Sequence, residues 1–182
     1  MIDSKVISSK VVAIIGAGPL GRELALLCAR AGYATVLEDL MPSNLRRAVE
    51  YVASTDAASA SLTYASTIEG AVRDADIILD TVPDELESKL EIFSLLDRMA
   101  PPKAIFCTPT RALSIADLAS CTYRPERCVG LKLPVSLENG QQIEITTTPR
   151  TAPDVVTAVK ELCQAVGLVP MTAVDPLELS KI

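Results

Sequence analysis

The sequence predicts an α/β fold built on a doubly wound, mostly parallel sheet of about eight strands. Three observations predict it. Short β-branched runs recur along the 182 residues, helix-like segments separate them, and the runs are continuously apolar, as strands covered on both faces are.

The first run, VVAII at 11–15, passes straight into the turn Gly16-Ala17-Gly18-Pro19-Leu20-Gly21, and a helical pattern occupies 20–31. A second strand, ATVLE at 34–38, precedes a helix at 43–51, and a weaker strand, SLTYA at 61–65, fills the third slot. The small, polar STDAASAS at 54–61 reads as a loop. Helices at 69–75, 85–99 and 114–119 then alternate with the strands DIILD at 76–80, AIFCT at 104–108 and CVGLKL at 128–133. Beyond Gly130 the pattern changes to QQIEITT at 141–147, a helix at 155–166 and LVPMT at 168–172, which extend the far edge of the sheet. Length allows one sizeable core, so residues 1–182 are expected to form a single domain.

Composition removes several functions. With 23 acids against 17 bases and a formal charge of -6, the chain offers no broad electrostatic footprint for nucleic acid. Tryptophan is absent and other aromatic residues are few, which disfavours base-stacking platforms and a membrane aromatic belt. The apolar runs are too short to span a membrane, and MIDSKVISSK lacks a signal peptide's apolar core, so the expected location is cytoplasmic. Five cysteines without a C-x-x-C pair, in a chain with no histidine, are expected to be reduced, buried thiols and not metal ligands.

The turn at 16–21 is G-x-G-x-x-G in its required setting, between a strand and a helix. The first glycine permits the tight turn, the second lets backbone approach a pyrophosphate, and the third lets helix and strand pack closely. The phosphates then meet free N–H groups at the helix amino terminus. Asp39 closes the second strand 18 positions after Gly21, where a carboxylate accepts hydrogen bonds from an adenosine ribose and repels a 2'-phosphate. These features predict a Rossmann-like domain that binds NAD in preference to NADP. The competing reading is a plain strand–helix turn with Asp39 as a local cap. Arg46 and Arg47 bear on cofactor choice, because an arginine past the second strand can hold a 2'-phosphate; their helical placement favours a solvated face.

Four segments carry a more specific likeness: IIGAGPLGRELALLCARAGYATVLEDL at 14–40, DADIILDTVPDELESKLEIFSLLD at 74–97, AIFCTPTRALSIADLA at 104–119, and RPERCVGLKLPVSLENGQQIEI at 124–145. In that order they resemble the amino-terminal NAD-binding domain of the NAD-dependent 3-hydroxyacyl-CoA dehydrogenases of fatty acid metabolism. The resemblance implies that Gly16, Gly18, Pro19, Leu20, Gly21 and Asp39 hold the cofactor's adenosine and pyrophosphate. It places Asp84 and Lys89 near the nicotinamide ribose, Thr108 where the family has a serine that hydrogen-bonds the substrate's 3-oxygen, and Glu144 where a carboxylate orients the catalytic histidine. Lys132 stands at that histidine's own position. The simpler readings are a structural ion pair for Lys132 and Glu144, an exposed helix pair for Asp84 and Lys89, and a local backbone bond for Thr108.

The departures are as informative. No histidine occurs anywhere, and an ammonium beside a carboxylate is a poor base near neutral pH, although it can donate a proton or polarise a ketone. The interval between the second and third strands is short, and Arg111 is new relative to the family pattern, as either a solvent-facing arginine or a partner for a ligand carboxylate or phosphate. The family's helical domain has no counterpart, so the chain is expected to be a fragment or a stand-alone nucleotide domain. The resemblance therefore implies hydride exchange between NAD and a 3-hydroxyacyl thioester or related hydroxy acid, acyl-CoA as a candidate small-molecule substrate, and a homo-oligomer or separate helical partner domain. Two alternatives are a catalytically degenerate NAD(H)-binding module and a small-substrate reductase completed by a partner subunit.

Overall fold

The computed structural model describes residues 10–55 and 61–175. Residues 56–60, most of the expected polar loop, lie outside the described residues, as do the two chain ends. Contacts group the described chain into two compact units: the residues through Val82 with Met99–Ala104, and Pro83–Arg98 with the residues from Ile105 onward.

The first unit alternates β1 (Val11–Ile15), α1 (Pro19–Arg30), β2 (Ala34–Glu38), α2 (Pro42–Ser54), β3 (Leu62–Ala65), α3 (Ile68–Val72) and β4 (Ile77–Asp80). Its strands lie in the order β3-β2-β1-β4, all parallel. The chain steps outward from β1 to β3, and α3 returns it to the other side of β1. That reversal opens a crevice at the carboxyl ends of β1 and β4, where doubly wound sheets bind their ligands. Val12, Ala13 and Ile14 of β1 are fully buried, as are Ile78 of β4 and Ala25 of α1, which accounts for the continuous apolarity of the central strands. Pro19 and Pro42 start their helices at positions where a missing N–H costs nothing. Thr67 caps α3 by accepting the Gly70 N–H at 3.2 Å.

The second unit contains α4 (Leu86–Met99), β5 (Ile105–Pro109), α5 (Ile115–Ala119), β6 (Cys128–Lys132), β7 (Gln142–Thr147), α6 (Pro153–Ala165) and β8 (Val169–Val174). Its strand order is β5-β6-β7-β8. β5 and β6 are parallel, β6 and β7 antiparallel, and β7 and β8 parallel again. The change of pattern after Gly130 is this reversal. Phe93 of α4 meets Phe106 of β5 edge to face, with centroids 5.9 Å apart and planes at 79°. Arg124 stacks over the Phe106 ring and holds the Asp97 carboxylate, Nε to Oδ1 at 2.8 Å. A side chain at Gly130 would come within 2.6 Å of Ile115, so α5 seats directly on β6 only because that position is bare.

Among the described residues, eight strands and six α-helices occupy the predicted places, with boundaries shifted by a few residues. Among the described residues no helix is long and apolar enough to cross a membrane. All five cysteines are free thiols, and burial pushes Cys128 and Cys163 up to about 12, which makes them inert packing groups.

Candidate functional site

The glycine turn divides its work among three positions. Gly16 has φ +101°, a conformation that L side chains rarely adopt, and the Thr81 hydroxyl lies 2.9 Å from both the Ile15 and Gly16 carbonyl oxygens. At Gly21 a Cβ would stand 1.8 Å from the Gly16 carbonyl oxygen, so only glycine lets α1 start this close to the turn. Gly18 differs: its backbone is ordinary extended chain, and nothing lies within 4 Å of where a Cβ would project. The first and third glycines build the turn, and the second keeps a space clear. Gly18 is the N-cap of α1, no side chain caps the helix, Pro19 follows, and the first turn carries no acid. The amino terminus is therefore open to an anion.

Asp39 is tied to that turn. Its Oδ2 accepts the Ala17 N–H at 2.9 Å and the Asn44 side-chain amide at 3.0 Å, while Oδ1 accepts the Met41 N–H at 2.8 Å. A carboxylate has about four lone-pair sites, so one remains for a ribose hydroxyl. Arg46 and Arg47 are exposed on α2. A cradle that side chains would fill, an uncapped helix start and an acid fixed to the turn fit a dinucleotide with an unphosphorylated ribose.

Sequence reasoning missed the neighbour of Asp39. Glu38 is 2% exposed, and its Oε1 has no hydrogen-bond partner among the described residues. Burial, with a smaller contribution from Asp39, pushes its carboxyl up to about 7. The available signal was a charged residue ending an otherwise apolar strand.

In the second unit, Lys132 and Glu144 are directly opposed in the antiparallel register, and Nζ donates to Oε1 at 2.6 Å. Their side chains are 38% and 32% exposed, so the pair is half-buried and reaches solvent. The Thr146 hydroxyl also points at Glu144 Oε1, at 3.4 Å. Lys132 lines a cavity of about 140 Å³ together with Thr110, Arg111, Leu113, Ile115 and Asp175, among others. Arg111 Nη2 donates to the Leu133 carbonyl at 3.0 Å, and the Arg111 backbone N–H donates to Asp84 Oδ2 at 3.2 Å. Asp84 is exposed and Lys89 fully buried, so the two do not form an exposed helix pair. Thr108 is fully buried within β5; Thr110 and Thr146 are the hydroxyl residues described on the cavity wall.

The sequence matches the 3-hydroxyacyl-CoA dehydrogenase NAD-binding domain over residues 11–175. The chain belongs to this family. It is 26% identical to 5-formyl-3-hydroxy-2-methylpyridine 4-carboxylate 5-dehydrogenase of Mesorhizobium japonicum, over 88% of this chain and 56% of that protein. It is also 26% identical to rat mitochondrial hydroxyacyl-coenzyme A dehydrogenase, over 94% of this chain and 61% of the relative. The crystal structure of (S)-3-hydroxybutyryl-CoA dehydrogenase from Ralstonia eutropha superposes with a TM-score of 0.85 at 24% identity, covering 91% of this chain and 64% of that one. That likeness is one of fold, and the fold is the Rossmann-like one expected. The chain spans less than two thirds of the length of each of these proteins. As a 3-hydroxyacyl-CoA dehydrogenase NAD-binding domain, it uses NAD, the cofactor that the turn and Asp39 fit.

Proposed function

We propose that this domain serves an NAD-dependent oxidoreductase that exchanges hydride between NAD and a 3-hydroxyacyl thioester or related hydroxy acid. The observation that carries this reading is the Lys132–Glu144 pair: a proton-bearing group and a carboxylate at the two positions where the family resemblance puts its catalytic dyad. Gly16, Gly18, Gly21 and the start of α1, with Pro19 and Leu20, hold the pyrophosphate, and Asp39 accepts a ribose hydroxyl. Asp84 and Lys89 serve the nicotinamide end. The matched relatives include an enzyme named for a CoA thioester and another named for a pyridine carboxylate, which supports a substrate class broader than thioesters.

When bound, the reduced nicotinamide supplies two electrons and one hydrogen, as hydride, to the substrate's carbonyl carbon. The protein handles the other hydrogen. The Lys132 ammonium donates a proton to the oxygen as it becomes an alcohol, and Glu144 holds the ammonium in place at 2.6 Å. Because the pair is part-exposed, the neutral amine regains its proton from water. Thr110, a residue of the cavity wall whose hydroxyl accepts the Leu113 N–H at 3.1 Å and keeps its own proton to donate, is assigned to the 3-oxygen in place of Thr108. Reduction is the favoured direction, since a paired ammonium gives up a proton to an alkoxide more readily than an amine is kept free to remove one.

The loss of histidine supports a second reading, a domain that binds NAD(H) without turnover. Either way, exposed Val169, Met171 and Val174 on β8 favour a second copy of the chain or a helical partner domain as cover. The test is titration and turnover with the full chain. NADH should bind more tightly than NADPH, Asp39→Ala should erase that preference, and NADH should reduce acetoacetyl-CoA or a smaller 3-oxo compound slowly. NADPH preference in the wild type sinks the cofactor assignment; NADH binding without any turnover selects the second reading.

A further inference from the structure

Two cations share the wall of the 140 Å³ cavity, and among the described residues one of them, Lys132, is paired with an acid. Lys132 is held by Glu144 at 2.6 Å. Arg111 is not matched in this way: its guanidinium makes a single hydrogen bond among the described residues, to the Leu133 carbonyl, and meets no carboxylate side chain. Its nearest acid by bonding, Asp84, accepts the Arg111 backbone N–H and not the guanidinium. A guanidinium carries five N–H donors in a planar fork, so most of that fork remains available.

We propose that Arg111 binds a substrate carboxylate, and that this cavity takes a small 3-oxo or 3-hydroxy carboxylic acid. This rests on the oxidoreductase reading above and narrows its substrate class. The carbonyl Arg111 holds belongs to Leu133, the residue after Lys132, so the fork is anchored beside the proton donor. An acid whose carboxylate sits on Arg111 places its oxo group toward Lys132 within the same enclosure. Arginine and carboxylate form paired, charge-assisted hydrogen bonds, the strongest available to an ionised acid. Three acids lie near these cations and, among the described residues, none of them bonds the guanidinium: Asp84 meets only the Arg111 backbone N–H. Asp175 Oδ2 is engaged by the Ser114 hydroxyl at 3.1 Å and the Ile115 N–H at 2.7 Å, and Glu144 is on Lys132.

Size argues the same way. Sites for drug-sized ligands run to roughly 300–1,000 Å³. A cavity of about 140 Å³ admits a compound of a few heavy atoms and not the whole of coenzyme A.

The test uses the full chain with three probes: acetoacetate, its uncharged analogue pentane-2,4-dione, and acetoacetyl-CoA. Binding is followed by calorimetry without cofactor, and turnover by NADH oxidation. Acetoacetate should bind more tightly than the dione. Arg111→Gln should weaken acetoacetate at least tenfold and leave the dione unchanged, while Arg111→Lys, which keeps charge but loses the fork, should fall between. Arg111 is exposed, so these variants should fold, and matching thermal transitions would verify it. No binding of acetoacetate, equal binding of acid and dione, or insensitivity to Arg111→Gln would overturn the proposal. Displacement of acetoacetate's role by acetoacetyl-CoA, with the thioester alone reduced, would overturn it while leaving the oxidoreductase reading intact. Arg111-dependent binding of acetoacetate with no reduction of any probe would uphold it and reject the oxidoreductase reading instead.

Discussion

Lys132 and Glu144 face each other across the antiparallel β6–β7 pair, with Nζ 2.6 Å from Oε1. Register alone brings them together, since directly opposed residues in an antiparallel pair project to the same face. The contact therefore exists whether the pair does chemistry or only ties two strands.

Substitution separates those roles. An imidazole at position 132 would regain a group that both accepts and donates protons near neutral pH, with Glu144 already placed to support it. General acid–base catalysis contributes about a hundredfold to ten-thousandfold. Lys132→His should raise the rate of 3-hydroxy acid oxidation by at least tenfold, and Lys132→Ala should abolish the residual activity. Stopped-flow NADH formation measures both. Turnover that is unchanged in Lys132→Ala would make the pair purely structural.

The glycine turn yields a contrast between folding and binding. A side chain at Gly18 projects into clear space, whereas one at Gly21 collides with the Gly16 carbonyl at 1.8 Å. Gly18→Val should lower the melting temperature only slightly, as a poorer N-cap, and lose NADH affinity. Gly21→Ala should lower the melting temperature further and lose affinity as well, because backbone must move. Calorimetry and fluorescence titration together check this; a stable Gly21→Ala that binds NADH normally would contradict the division of labour.

Much of this was legible beforehand because the strands are buried on both faces and the turn has a fixed chemistry. VVAII leading into Gly16 announces both at once, and the outcome differs only in helix ends. The Lys132–Glu144 contact was legible through the family motif, which fixes both positions. Glu38 was not, since periodicity marks a residue's face but not whether its carboxylate finds a partner. The cavity was not either. Arg111 reads in the sequence as either solvent-facing or a partner for a ligand anion; it is exposed, and nothing in the sequence says that its guanidinium also donates to the Leu133 carbonyl.

Asp97 and Arg124 form an enclosed ion pair, with side chains 4% and 13% exposed. Asp97 also accepts the Tyr123 N–H at 3.0 Å, and its backbone carbonyl takes Arg124 Nη2 at 2.7 Å. Removing one partner of such a pair leaves the other charge buried, which typically costs about 3–5 kcal/mol. Asp97→Ala should destabilise the chain by roughly that amount in urea unfolding. A loss below about 1 kcal/mol, the range of a surface pair, would show that water reaches Arg124.

Glu38 should make stability depend on pH in a defined window. Its carboxyl has an ordinary value of 4.5 and is pushed up to about 7 in the fold. Between those values the native protein holds a proton that the unfolded chain has released, so stability falls as pH rises through the window and the contribution is gone above it. The full shift corresponds to at most about 3 kcal/mol. Glu38→Gln fixes the neutral form. Wild type and variant should therefore differ little in their pH dependence below pH 4.5, and the variant should gain on wild type by about 2 kcal/mol between pH 4 and pH 8. Urea midpoints for both proteins at the two pH values measure this as a double difference, in which the other titrating groups and any constant cost of the amide cancel. A double difference of zero would mean that Glu38 titrates in the fold as it does in the unfolded chain, with its Oε1 solvated or paired in solution.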